Sequence, residues 1–169
     1  MPEILLDVGD KEKFKGESNL DGFDDLIVCD SFSVGATVPL DLGRGTNRTA
    51  GSVHISEVSF SRQFDSSSIP LLNATFSGEV FKKMTIHFLK AAGTDEKAHE
   101  EFLSVELKDA IFSNVSYSGA SGGGNMMESI SVGFTAIDFK YKVQKDDGSL
   151  DGAVVASFDM LTQKSSKGS

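Results

Sequence analysis

The chain is predicted to be mainly β: an antiparallel β-barrel of two packed sheets with one short α-helix on its flank. Three observations predict this. Apolar residues recur at every second position along most of the chain, the period of a strand. Turn dipeptides and glycine-rich breaks separate these runs. One stretch, between Asp65 and Val80, changes to helical spacing.

The elements follow in order. Ile4, Leu6 and Val8 form a first short strand. In a second, Leu26, Val28, Phe32 and Val34 share one face, with Cys29, Ser31 and Ser33 on the other. Val53 and Ile55 give way to Val58 and Phe60, a switch of phase. Met84, Ile86 and Phe88 alternate cleanly, as do Leu103, Val105 and Leu107. Ile111 and Phe112 lead into Val115 and Tyr117. Ile130, Val132, Phe134 and Ala136 give way to Ile137, Phe139 and Tyr141, a second switch. Val154, Ala156, Phe158 and Met160 form the last strand. A phase switch within a strand is what a β-bulge produces, and bulges let a sheet bend.

The helix is read from Ser66–Ser68 as N-cap candidates, Pro70 in the first turn, the Leu72/Phe76 pair and Gly78 just past the end. Asp147-Gly148 and Asp151-Gly152 read as turns. Ala92–Asp95 opens a hairpin loop, and Gly119–Asn125 (GASGGGN) is a surface loop. Gly35 to Gly51 is longer, lacks a clear period and is a functional candidate on length. Residues 1–163 are expected to form one domain, and 164–169 a flexible polar tail.

Composition narrows the function. The 169 residues carry 16 Lys+Arg against 25 Asp+Glu, a net charge of −9. That balance argues against nucleic acid and against an anionic membrane surface. No run approaches the ~20 apolar residues of a membrane span, so no membrane insertion is expected. The N-terminus has no basic segment followed by an apolar one, so no signal peptide is expected. One cysteine excludes an internal disulfide framework and a Cys-rich zinc site.

A search for chemistry finds none. His54, His87 and His99 have no ligand spacing and read as polar-face residues. There is no G-x-S-x-G elbow, and GASGGGN lacks the G-K-[ST] ending of a phosphate loop. Asp24-Asp25 and Asp146-Asp147 flank turns and are not acid/base pairs. Cys29 sits on a strand with no basic neighbour apparent. No catalytic, cofactor or metal residue is therefore assigned. Ser31, Ser33, Ser129 and Ser131 put small polar residues opposite the core, a face suited to another subunit or a lumen.

The order of motifs then resembles a known family. The first strand is followed by Lys15-Gly16-Glu17-Ser18, then by a strand ending Ser31-Phe32-Ser33-Val34-Gly35 and a Gly/Thr-rich extended loop. Ser59–Asp65 leads into the helix SSSIPLLNATFSG. Later come Glu106–Ile111, Asn114-Val115-Ser116, the Gly-rich loop, and Glu128–Phe134 running to Asp138-Phe139-Lys140-Tyr141 and Gln144–Gly148. This resembles the Hcp family (haemolysin-coregulated protein), the tube protein of the bacterial type VI secretion system.

The resemblance implies a homohexameric ring with a wide channel. It implies rings stacked into an inner tube that a contractile sheath propels, with a spike protein at the tip and small effector proteins carried in the lumen. It implies a chain made in the bacterial cytoplasm and exported without a signal peptide. Ser33 matches the family's channel-facing position, and Ser31 shares its face. The loop with Gly35, Thr37, Leu40, Leu42, Arg44, Thr46 and Arg48 resembles the arm that reaches the neighbouring subunit or the stacked ring. Val58, Phe60, Ile137, Phe139 and Tyr141 are the subunit-interface candidates. The competing reading is a monomeric β-barrel binding a small ligand. A hydrolase with an unrecognised Ser/His/Asp set comes third.

Overall fold

The computed structural model of the chain describes residues 3–41, 49–94, 97–145 and 150–168. The elements are β1 (Glu3–Asp7), β2 (Ile27–Cys29), β3 (Ser31–Ser33), β4 (Ala36–Thr37), β5 (Leu40–Asp41), β6 (Thr49–Ala50), β7 (His54–Ile55) and β8 (Val58–Gln63). Then come α1 (Ser68–Ser77), β9 (Val80–Thr94), β10 (Lys97–Ser118), β11 (Met127–Gly133), β12 (Ala136–Gln144), β13 (Leu150–Asp159) and β14 (Lys164–Gly168). The ladders between them are antiparallel.

β10 organises the sheet. One edge pairs with β9. The other pairs with β12 over Leu103–Lys108 and with β11 over Ile111–Ser118. One layer is therefore β1, β9, the first part of β10, β12, β13 and β14, and the other is the end of β10 with β11, β8 and β3. Their inner faces meet where Phe32 of β3 stands edge-on to Phe88 of β9, centroids 5.1 Å apart. Met84, Ile86, Val105 and Leu107 from one layer, and Val58, Phe60, Ile130 and Val132 from the other, fill the core.

The expected antiparallel, two-sheet architecture with a flanking helix is present; among the described residues the sheet does not close as a barrel. The pairing stops at β2 on one side and β3 on the other. What joins them is the chain itself at Asp30, whose N–H donates to Ser61 O at 2.8 Å. This crossing also changes the phase. Ile27 and Cys29 are buried while Val28 is exposed, and beyond Asp30 it is Phe32 that packs inward. The single face expected for Leu26, Val28, Phe32 and Val34 is thus broken in the middle.

The second phase switch lies between β11 and β12, which run end to end along β10. Opposite the break, Asp109 adopts φ 47°, and Thr135 N–H donates to Lys108 O at 3.0 Å. Asp151-Gly152 lies within β13 instead of a turn, with Gly152 at φ 59° beside a register shift at Lys142/Val143. Asp147-Gly148 lies outside the described residues.

The helix starts and stops where its punctuation said. Gly78 takes the left-handed conformation, φ 62°, and its N–H donates to Thr75 O. Its buried face, however, is Leu71 and Ala74; Phe76 is 76 % exposed, so the Leu72/Phe76 side looks outward. Between β1 and β2, residues 16–26 form a loop closed at its neck by Gly16 N–H to Asp25 O (2.9 Å) and Ser18 N–H to Leu26 O (3.1 Å). A Cβ on Gly16 would lie 2.2 Å from Leu26 O, which is the physical reason for glycine in the Lys15–Ser18 motif. Leu20 and Phe23 of this loop cover Leu5, Leu26 and Leu89, a second small core outside the first.

The polar tail is an edge strand instead. Lys164–Gly168 pairs with Val155–Asp159. The tight turn before it is held by Asp159 Oδ1, which accepts from Leu161 N–H (2.8 Å) and Thr162 N–H (3.0 Å). The Thr162 bond leads in holding the Asp159 carboxyl below its ordinary value. Its lysines and serines suit a solvated sheet edge.

Candidate functional site

Register assembles a face that no single segment contains. Ser31 of β3 pairs with Ser61 of β8, Ser61 with Ser129 of β11, and Ser129 with Ser116 of β10. One step along, Ser33, Ser59, Ser131 and Asn114 form a second row. Both rows cross four strands without a charged residue. Ser31 Oγ and Ser61 Oγ hydrogen-bond at 2.6 Å. The alternate residues Phe32, Phe60, Ile130 and Val115 point the other way, into the core. Ser31 and Ser33, expected to share a face, do so, and Ser129 and Ser131 join them. Ser59, Ser61, Asn114 and Ser116 were missed. Their alternation was visible, but their neighbours are set by pairing between distant strands.

A buried ion network lies behind the first row. Arg62 and Glu128 are both fully buried, with Arg62 Nε 3.3 Å from Glu128 Oε2. Arg62 also pairs with Asp65 and donates to Ser67 Oγ at 2.7 Å. Ser68 Oγ donates to Glu128 Oε2 at 3.0 Å, and Tyr117 donates to Ser68 O at 3.3 Å. These bonds tie the start of α1 to β8, β10 and β11. Burial pushes the Glu128 carboxyl above its ordinary value, with Arg62 opposing. Burial, with Glu128 adding to it, pushes the Tyr117 hydroxyl up to about 12. Burial likewise pushes the Cys29 thiol up to about 12, so it is not a nucleophile near neutral pH. Contrary to expectation, Cys29 does have a basic neighbour: the Arg62 charge opposes the rise that burial causes.

The described parts of the segment Gly35–Gly51, residues 35–41 and 49–51, run out from β3 and back towards β7 as two short ladders. Ala36 and Thr37 pair with Ile55 and His54, and Leu40 and Asp41 with Ala50 and Thr49. Ser56 N–H donates to Gly35 O, and Gly51 N–H to Pro39 O, each at 2.8 Å. Gly35 and Thr37 are exposed, and Leu40 is 63 % exposed. Leu42, Arg44, Thr46 and Arg48 lie outside the described residues.

Three of the interface candidates face the wrong way to meet a neighbour. Val58, Phe60 and Ile137 are buried in the core of the single chain. Alternation marks two faces of a strand, and the second layer covers the face that holds them. Phe139 is half-buried against that core. Tyr141 is 47 % exposed, and with Val143 and Val154 it forms an apolar ledge on β12 and β13.

His87 departs from the solvated role expected of it. Its Nδ1 hydrogen-bonds Glu101 Oε2, both side chains are mostly buried, and Lys142 Nζ donates to Glu101 Oε1 at 3.1 Å. Burial pushes Glu101 up, but the bonds from His87 and Lys142 outweigh it and hold the carboxyl below its ordinary value. Among the described residues no three His, Cys, Asp or Glu side chains gather as a metal site. No helix among them is long and apolar enough to cross a membrane.

The family model for the type VI secretion system effector Hcp matches residues 6–141. The chain belongs to the Hcp family. Protein hcp1 of Pseudomonas aeruginosa is 30 % identical over 103 residues, which is 61 % of this chain and 62 % of that relative. A solved type six secretion system protein superposes with a TM-score of 0.86 at 22 % identity, covering 98 % of this chain and 100 % of that one. Hcp1 from Salmonella typhimurium gives 0.74 at 22 % identity, covering 98 % and 99 %. The segments that carried the resemblance, Lys15–Ser18, Ser31–Gly35 and Ser59–Asp65, sit at the loop neck, in and just after β3, and in and just after β8.

Proposed function

We propose that this chain is the tube subunit of a type VI secretion system and has a structural, not an enzymatic, role. Six copies form a ring, with the serine rows lining the channel. The Gly35–Gly51 arm, with Gly35, Thr37, Leu40, Leu42, Arg44, Thr46 and Arg48, reaches the neighbouring subunit or the stacked ring. The finished tube meets a contractile sheath outside, a spike protein at its tip and small effector proteins within. It is made in the bacterial cytoplasm and leaves with the machine. The observation that carries this reading is the eight-residue uncharged face spanning β3, β8, β11 and β10. In an acidic chain, a solvated face of that size would ordinarily carry Lys and Glu. The ledge at Tyr141, Val143 and Val154 supports it too, as an apolar edge that a neighbouring copy would cover. The space between the layers is filled by side chains, which disfavours the small-ligand reading.

Size-exclusion chromatography with light scattering tests the assembly. A mass near six times 18.1 kDa is expected, and a monomer overturns it. Negative-stain imaging should show a hollow ring. Deleting the arm should leave the fold and abolish tube formation, so tubes that persist would refute its role. Ser33→Lys should keep the ring and impair cargo retention, and unchanged retention would refute the channel assignment.

A further inference from the structure

The ladder of β3 and β8 has two unlike ends, and each carries apolar side chains outside the core. At one end β3 runs into the arm and β7 returns from it, with Val38 and Leu40 both exposed. The other end lies roughly 20 Å away, along the six residues of β8. There Phe64 sets its ring edge-on to Tyr117, centroids 5.5 Å apart. Phe64 N–H donates to Met126 O at 2.9 Å, and Asn125 Nδ2 donates to Gln63 Oε1 at 2.8 Å, so the patch is held in a fixed frame. Phe64 and Met126 are both exposed. Methionine beside aromatic rings makes a soft, adaptable apolar surface.

Charge also divides the two ends. Ser66 Oγ donates to Lys15 O at 3.1 Å, which sets the 10–17 segment beside the patch. Residues 10–17 with Asp24 and Asp25 carry five carboxylates against three lysines. Two of those lysines are already paired, Lys13 with Glu79 and Lys15 with Asp25. In sequence, the 35–51 segment carries two arginines against one aspartate.

We propose, resting on the ring reading above, that the arm of one copy docks Val38 and Leu40 on the Phe64–Tyr117–Met126 patch of a copy in the next ring. An arm cannot reach the patch of its own chain, because the length of β8 separates them. Copies side by side in one ring present like ends on the same side. Only stacking head to tail brings the arm end against the patch end. The contact joins unlike surfaces, so it repeats without closing and extends a column. Apolar side chains then meet apolar ones, and a basic segment meets an acidic border. Six such contacts per ring act together, so each can be modest.

Cross-linking of the full chain tests this. Leu40→Cys and Met126→Cys are combined, and a short bis-maleimide joins thiols that meet. Cys29 is buried with its thiol pushed up to about 12, so it stays silent. The double variant should give a ladder running past six chains on a denaturing gel, and either single variant should stop at two. Adding Phe64→Lys should cut the species above two chains at least tenfold while light scattering still gives a hexamer. A ladder that ends at six chains would place the contact inside one ring and overturn the proposal. So would a ladder undiminished by Phe64→Lys, or no ladder from protein that is hexameric by light scattering. A monomer by light scattering would instead overturn the ring reading, and this proposal with it.

Discussion

The two charge networks invite comparison, because each is built around a glutamate and a cation yet they titrate in opposite senses. Glu128 is fully buried behind the serine rows, and burial outweighs Arg62 to raise its carboxyl value. Glu101 lies nearer the surface, and the bonds from His87 and Lys142 outweigh burial to lower its value. The sign of the pH effect follows. Stability from Glu128 is full below the ordinary carboxylate range and is lost as pH rises through its raised value. Stability from Glu101 is full above that range and is lost as pH falls through its lowered value. Depth decides which glutamate acts as a fastener near neutrality and which as a registration point tolerated at some cost.

The largest break in this comparison is Arg62→Met. It leaves Glu128 buried without its cation, and a loss of about 3–5 kcal/mol is expected in urea unfolding. A loss below about 1 kcal/mol would show that Glu128 is already neutral at that pH. Gly16→Ala comes next. The new Cβ would collide with the Leu26 carbonyl, and the neck must open at a cost of about 1–3 kcal/mol, with faster exchange confined to 16–26. Glu101→Gln should cost about 1 kcal/mol at pH 7, discounted for partial exposure. Its cost should shrink as pH falls through the lowered Glu101 value and the wild-type carboxylate protonates. A cost independent of pH would remove Glu101 from the acid-linked set. The smallest effect is Ser61→Ala, directly in front of Arg62. It removes the Ser31–Ser61 hydroxyl bond at an exposed site, and a change under about 0.5 kcal/mol is expected.

Local patterns were legible in the sequence wherever the physics is local. Alternation marked the strands, Gly78 stopped the helix, and Ser31 and Ser33 fell on one face. What was not legible depends on partners far away in the chain. Phe60 alternates as clearly as Ser61, but only the layer opposite decides that Phe60 is inside. Leu72 and Phe76 make a proper helical pair, yet the sheet receives Leu71 and Ala74. The residues of Lys164–Gly168 look like a frayed end until Asp159 turns them back onto β13. His87 gave no spacing signal, because Glu101 and Lys142 reach it from two other strands. The Lys15–Ser18 motif was visible, but its cause is a backbone approach from Leu26 that no pattern records.

Strand β10 has a mechanical consequence. At 22 residues it spans roughly 70 Å if fully extended, and it is shared by both layers. A pull along the chain loads its ladders lengthwise. All the bonds to β9, β11 and β12 then resist together instead of unzipping in turn. Neither layer can peel away while the other holds.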